Sequence, residues 1–318
     1  VKVFRTFAAG SALLAFVLAV LGSWVRINNA GLTCPDWPLC HGQLVPALHG
    51  GIVLEWSHRL VAFVETFFVL GAIVTGLRER KAVAGVAPAL VALALIFALQ
   101  VSLGGITVLL ANSPLSVMLH WGMGMALLAD LTILAVLAWR KPQPTARERA
   151  TRASGFPVAG ILALTATLAF VTMCAGAYVS SSYAGLACTR VPGCGDTAFG
   201  QTAAQHVQML HRVLAAGVAL AALVAAVIAK DASFAVRSFA WTGAALVAAQ
   251  IALGIGNVVW RLPIGLREAH AANAGATFLA FVIATVLAAL EPLPGGAAQV
   301  APAESTARAA GRRVAPTA

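Results

Sequence analysis

The chain has 318 residues, 60% of them hydrophobic and only 10% charged, with a formal net charge of +10. A water-soluble domain carries about 25% charged residues, so the composition excludes that class. The basic excess would suit a nucleic-acid binder if it formed a patch or stripe. Here the basic residues are dealt out between long apolar runs, which speaks against nucleic acid.

Phe7–Val25, Ala82–Ala111, Gly155–Ala187 and Ser238–Trp260 contain no Asp, Glu, Lys or Arg. Runs above about 18 residues read as membrane-spanning helices, because a helix satisfies its own backbone where no water is present. Eight spans are expected, at roughly 7–26, 54–77, 86–110, 116–139, 157–180, 205–229, 238–259 and 267–290. Lys2 and Arg5 precede the first run, as they would in a signal segment. It lacks a clear small-x-small cleavage site and an internal repeat needs it, so it is counted as a span. The expected fold class is an all-α membrane protein with eight transmembrane helices.

The loop after the first span reads AGLTCPDWPLCHG (30–42), and the loop after the fifth reads AGLACTRVPGCGD (184–196). Each has Ala-Gly-Leu, one residue, Cys, five residues and a second Cys. Fifteen of the 21 Lys and Arg residues fall on the opposite side of an eight-span arrangement. The positive-inside rule makes that side cytoplasmic, with both termini inside. The cysteine loops then face a compartment that sustains disulfides. Cys34–Cys40 and Cys188–Cys194 are the favoured pairs. Metal binding is the alternative, though neither loop offers a paired C-x-x-C. Cys174, inside the fifth span, reads as a small buried apolar residue.

The loops belong to a longer duplication. SHRL at 57–60 answers LHRV at 210–213, QVSLGGITV at 100–108 answers QIALGIGNV at 250–258, and His120 answers His270. The chain therefore divides into a four-helix half at 1–140, a linker at 141–154, a second half at 155–290 and an Ala/Gly/Pro-rich disordered tail at 291–318. Each half holds an even number of spans, so the halves enter the membrane in one orientation as a parallel repeat.

Histidine within a span is costly and usually functional. His58, His120, His211 and His270 occupy matched positions on spans 2, 4, 6 and 8, close to the cysteine-loop ends. Two histidines at one depth in a bundle can hold a haem iron from both faces, whereas zinc wants three or four protein ligands. Arg59 and Arg212 follow a repeat histidine and suit haem propionates or snorkel to the interface. Gly104, Gly105, Gly254 and Gly256 permit close approach of a flat cofactor or of another helix.

The halves also differ. Glu55 precedes His58 by three residues, on one helix face, where the second half has Gln208. Glu55 is a proton-transfer group or a solvated residue at the helix entrance. Glu268, two residues before His270, points elsewhere. Glu65 and Asp130 have no acidic counterparts, and each is a step in a proton route or an interhelical polar contact. His41, His49 and His206 read as solvated or interfacial.

VRINNAGLTCPDWPLCHGQLVP, EWSHRLVA, QVSLGGITVLL, His120 and QMLHRVLAA together resemble the haem A synthase family, over roughly residues 5–290. The resemblance implies oxidation of a methyl group of haem O to the formyl group of haem A, by successive hydroxylation and then dehydration, for terminal oxidases. It implies Glu55, His58 and His120 on the substrate haem in the first half, and His211 and His270 on a resident haem b in the second. It attaches function to the Cys34 and Cys40 pair. It also implies an electron donor, with haem O synthase and terminal oxidase assembly factors as partners, and it allows a homo-oligomer in the cell membrane. The alternatives are a di-haem b-type electron-transfer cytochrome, which has no use for Glu55, and a transporter or haem carrier.

Overall fold

The computed structural model describes residues 1–139, 156–195 and 197–291. The expected linker at 141–154 and the tail beyond Glu291 lie outside the described residues, as do Arg140, Lys141, Arg147, Arg149, Arg152, Arg308, Arg312 and Arg313.

Among the described residues eight long α-helices follow in order: α1 Lys2–Ile27, α2 Gly50–Glu79, α3 Val86–Leu109, α4 Pro114–Trp139, α5 Phe156–Ser181, α6 Ala203–Ile228, α7 Phe234–Val259 and α8 Ile264–Leu290. All are long and apolar enough to cross a membrane. The protein is a multi-pass, all-helical membrane protein. Most helices start earlier than expected, by up to five residues. At the first helix hydropathy stops at the first charged residues, whereas backbone hydrogen bonding continues through Arg5 to Lys2.

Contacts arrange the helices as two rings. In the first, α1 and α3 each pack on α2 and α4, which leaves α2 and α4 diagonally opposed. In the second, α5 and α7 each pack on α6 and α8, so α6 and α8 are opposed. The rings meet where α4 touches α5 and α8 and where α1 touches α8. Accordingly α4 and α8 are the most buried helices. Leu128, Leu131 and Leu134 of α4 and Phe281 of α8 are fully buried in one continuous apolar core.

Small residues let the backbones approach, as expected where lipid supplies little drive for helix association. Phe7 of α1 lies against Gly71 of α2, and Phe68 of α2 against Gly10 of α1. Their rings meet edge to face at 5.9 Å. Cys174 packs its sulfur against Gly122 of α4, at the junction of the rings. Arg26 crosses that junction, and its Nη2 donates to the Ser180 and Ser181 carbonyls at 3.2 Å. A guanidinium at the end of α5 satisfies carbonyls that have no partner in the helix.

The cysteine-loop end also holds two matching tight turns. After α3, Ala111 and Asn112 have φ of 50° and 56°; after α7, Arg261 and Leu262 have 57° and 62°. Asn112 N donates to Thr107 O and Leu262 N to Asn257 O, at 2.9 and 2.7 Å. These bonds terminate each helix by turning the last carbonyls inward.

Candidate functional site

His58 and His211 lie eight residues into α2 and α6, and His120 and His270 lie six residues into α4 and α8. At 1.5 Å per residue this is about 12 Å and 9 Å below the helix starts. The members of each pair stand on diagonally opposed helices. The centres of the His211 and His270 rings are 6.5 Å apart, with their planes at 71°. An iron bonded to one nitrogen of each ring, at about 2 Å per bond, would place the centres ~6 Å apart. This pair therefore fits two imidazole ligands on opposite faces of one haem iron. Among the described residues no three His, Cys, Asp or Glu side chains gather as a metal site.

The four rings are half-buried. His211 Nδ1 is 3.1 Å from the Thr172 carbonyl of α5. The Nδ1 atoms of His58, His120 and His270 are buried without a hydrogen bond among the described residues. A buried ring nitrogen without a partner is uncommon in a finished site. His41, His49 and His206 are exposed, in agreement with the solvated reading.

Above each pair sits a cysteine loop held by its own latch. Cys34 and Cys40 Sγ are 1.97 Å apart, and Cys188 and Cys194 Sγ are 1.88 Å apart. Closing so short a loop stabilises it by about 2 kcal/mol. Peptide mapping without reduction is expected to recover both pairs and to leave Cys174 as the one alkylated cysteine; free thiols in either loop would remove that brace.

Glu55 is 4% exposed, so the solvated alternative does not hold. Its Oε2 accepts from Cys34 N at 2.8 Å and Thr33 Oγ1 at 3.0 Å, and its Oε1 accepts from Arg59 Nη2 at 2.6 Å. Gln208 does the same work in the second half. Its Oε1 accepts from Cys188 N at 2.6 Å, and its Nε2 donates to Gly185 O at 2.7 Å.

Arg59 and Arg212 are placed inside the loops. Arg59 donates to the carbonyls of Asp36, Leu39 and Cys34. Arg212 donates to those of Arg190, Pro192, Gly193 and Cys188. The Nη atoms of both guanidiniums are thus engaged with loop carbonyls.

The first loop carries more polar structure than the second. His41 and Gly42 form a two-residue turn with φ of 53° and 73°, closed by the Cys40–Gln43 bridge. Asp36 accepts from His41 N at 2.6 Å and Gly42 N at 2.8 Å. These bonds, that from Gly42 foremost, hold the Asp36 carboxyl below the usual carboxylate range. Trp37 lays its ring against the backbone at Gly105. His41 Nε2 is 2.9 Å from the Thr33 carbonyl, so one short chain of contacts runs from an exposed imidazole to Glu55.

Three further carboxyl groups are buried in the helices. Glu65 is 1% exposed, Asp130 7% and Glu268 9%. Neither oxygen of Glu65 or Glu268, nor Oδ2 of Asp130, has a hydrogen-bond partner among the described residues. No interhelical polar contact therefore accounts for Glu65.

The chain matches the COX15-CtaA family, described as cytochrome oxidase assembly protein, over residues 5–52 and 49–282. It is 30% identical to a haem A synthase of Bacillus pumilus over 215 residues, covering 64% of this chain and 69% of the relative. It is 30% identical to one of Bacillus licheniformis over 273 residues, covering 81% and 86%. It is 28% identical to one of Shewanella oneidensis over 322 residues, covering 86% and 93%.

Proposed function

The chain belongs to the COX15-CtaA family of cytochrome oxidase assembly proteins, and we propose that it is a haem A synthase whose two halves divide the work. The reaction is oxidation of a haem O methyl group to the formyl group of haem A, for terminal oxidases.

The halves form a parallel repeat, 1–140 and 155–290, with the cysteine loops toward the outer face and both termini in the cytoplasm. The Glu55 and Gln208 latches, the paired turns after α3 and α7 and the basic residues at the opposite end support this reading.

The second half holds a resident haem b through His211 and His270. The 6.5 Å separation of these rings is the observation that carries the assignment. The first half receives haem O between His58 and His120. The bound haems supply the electron and oxygen chemistry. The side chains of this chain orient the substrate, keep water from it and handle protons.

The difference between the halves supports placing the chemistry in the first. Glu55 is an ionisable acid where the second half has an amide, and it lies one helical turn from His58. It can take up or release a proton at Oε1 or Oε2 while its backbone partner fixes its position. Glu65, seven residues beyond His58, lies about 10 Å deeper along α2. With Asp130 it offers proton-holding groups on the cytoplasmic side of the site. The disulfide Cys34–Cys40 acts through Glu55, because Cys34 N is one of the donors that hold the carboxylate.

An electron donor is required. Haem O synthase and oxidase assembly factors are the partners that this chemistry implies, as source of the substrate and recipient of the product. The deciding experiment is extraction and chromatography of the haems from protein purified after expression with a source of haem O. Haem B together with haem O, haem A or a hydroxylated intermediate is expected. Haem B alone would point to an electron-transfer cytochrome, and no haem would overturn the reading of the histidine pairs.

A further inference from the structure

Each of the four histidines meets a glycine on the neighbouring helix, and always by the same ring atom. A methyl group placed on Gly22 of α1 would stand 3.1 Å from His58 Cε1, and one on Gly104 of α3 3.2 Å from His120 Cε1. On Gly176 of α5 it would stand 2.9 Å from His211 Cε1, and on Gly254 of α7 3.3 Å from His270 Cε1. In all four cases the Nδ1 atom comes next, at 3.3–3.8 Å. Contacts this short force the ring to move, since the helix backbone on the other side is the stiffer partner.

The glycine does a second thing. In a helix the carbonyl of residue i−4 accepts the N–H of residue i, and its other lone pair is shielded by the side chain at i. Without a side chain at Gly176, the carbonyl four residues earlier is open from the side. That carbonyl belongs to Thr172, and His211 Nδ1 reaches it at 3.1 Å. A proton held on Nδ1 by this carbonyl leaves Nε2 free as a metal ligand. The residues four before the other glycines are Leu18, Gln100 and Gln250. At His58, His120 and His270 the Nδ1 atom has no hydrogen-bond partner among the described residues, so the bond to the opened carbonyl is formed only at His211.

We propose that Gly22, Gly104, Gly176 and Gly254 are positioning residues. They seat the four histidine rings against α1, α3, α5 and α7, and at Gly176 the opened Thr172 carbonyl also receives Nδ1 of His211. The inference rests on the reading of these histidines as haem ligands. It goes beyond helix packing, because packing alone does not require the same ring atom at all four contacts.

The test uses the full chain carrying Gly176→Ala, with Gly160→Ala as control. Gly160 lies on the same helix, and a methyl there meets nothing within 4 Å. Folding is checked by helical circular dichroism and by recovery of both disulfides. Gly176→Ala is expected to weaken retention of haem b by about tenfold or more, in line with the loss of groups that orient metal ligands. Any haem retained should show a displaced low-spin electron paramagnetic resonance signal. Gly160→Ala should match the parent in both. If Gly176→Ala does not fold, Gly254→Ala, the mildest of the four intrusions, takes its place with the same readouts. A folded glycine variant with parental haem content and an unmoved signal overturns the seat. Parental haem in His211→Ala overturns instead the ligand assignment beneath it.

Discussion

Replacing His211 or His270 with alanine is expected to remove the resident haem b while leaving the protein folded. Each histidine is one of two imidazoles facing each other at 6.5 Å across the second bundle. Loss of an axial bond worth about 3 kcal/mol lowers affinity roughly 100-fold, and purified protein then carries haem well below one equivalent. The reduced-minus-oxidised spectrum and the extracted haem both read this out. The apolar core does not run through these rings. Leu128, Leu131, Leu134 and Phe281 lie deeper along α4 and α8, so the helices keep their packing without the ligand. The matched variants His58→Ala and His120→Ala are expected to keep haem b and to stop conversion of haem O. Parental haem b in either second-half variant would sink the assignment. Loss of haem b from the first-half variants instead would exchange the roles of the halves.

The eight spans were legible because hydropathy and length are set by lipid, and nothing in tertiary packing competes with that signal. The helix starts were not, since Gly50–Val53 and Phe234–Arg237 continue helices beyond the apolar windows. The four histidines were legible as repeat positions. Their seats were half legible. Gly104 and Gly254 stood out as close-approach positions, but the structure assigns them to histidine rings, and it sets Gly105 and Gly256 against Trp37 and Trp260. Gly22 and Gly176 were missed, although they are separated by the same 154 residues as the paired cysteines. That offset was the available signal.

The engagement of Arg59 and Arg212 was not legible at all. An arginine beside a histidine suggests an anion, whereas a small disulfide loop turns several carbonyls inward, and only the folded loop shows that they converge on a guanidinium. The latch through Glu55 was hidden for the same reason. The Cys34 N–H that it accepts is 21 residues away and belongs to the loop's path.

The latch makes Glu55→Gln the sharper test of catalysis than Glu55→Ala. Alanine leaves Cys34 N without an acceptor and takes one acceptor each from Thr33 Oγ1 and Arg59 Nη2, which keep the Ala30 and Cys34 carbonyls; an unsatisfied buried donor costs about 1–3 kcal/mol. Loss of activity in that variant would not separate chemistry from a collapsed loop. Glutamine is different, because the second half already shows it working. Gln208 accepts from Cys188 N and donates to Gly185 O, and the corresponding groups of the first loop are Cys34 N and Gly31 O. Glu55→Gln is therefore expected to keep the Cys34–Cys40 disulfide and the haem b content, with haem O still bound. The rate of haem A formation is expected to fall by about 10²–10⁴, the span associated with removal of a positioned proton-transfer group. Accumulated haem O or a hydroxylated intermediate in the extract would mark the step that needs the carboxylate. Parental turnover with intact haem would leave Glu55 a brace for its loop, equivalent to Gln208, and would take the proton chemistry away from this end of α2.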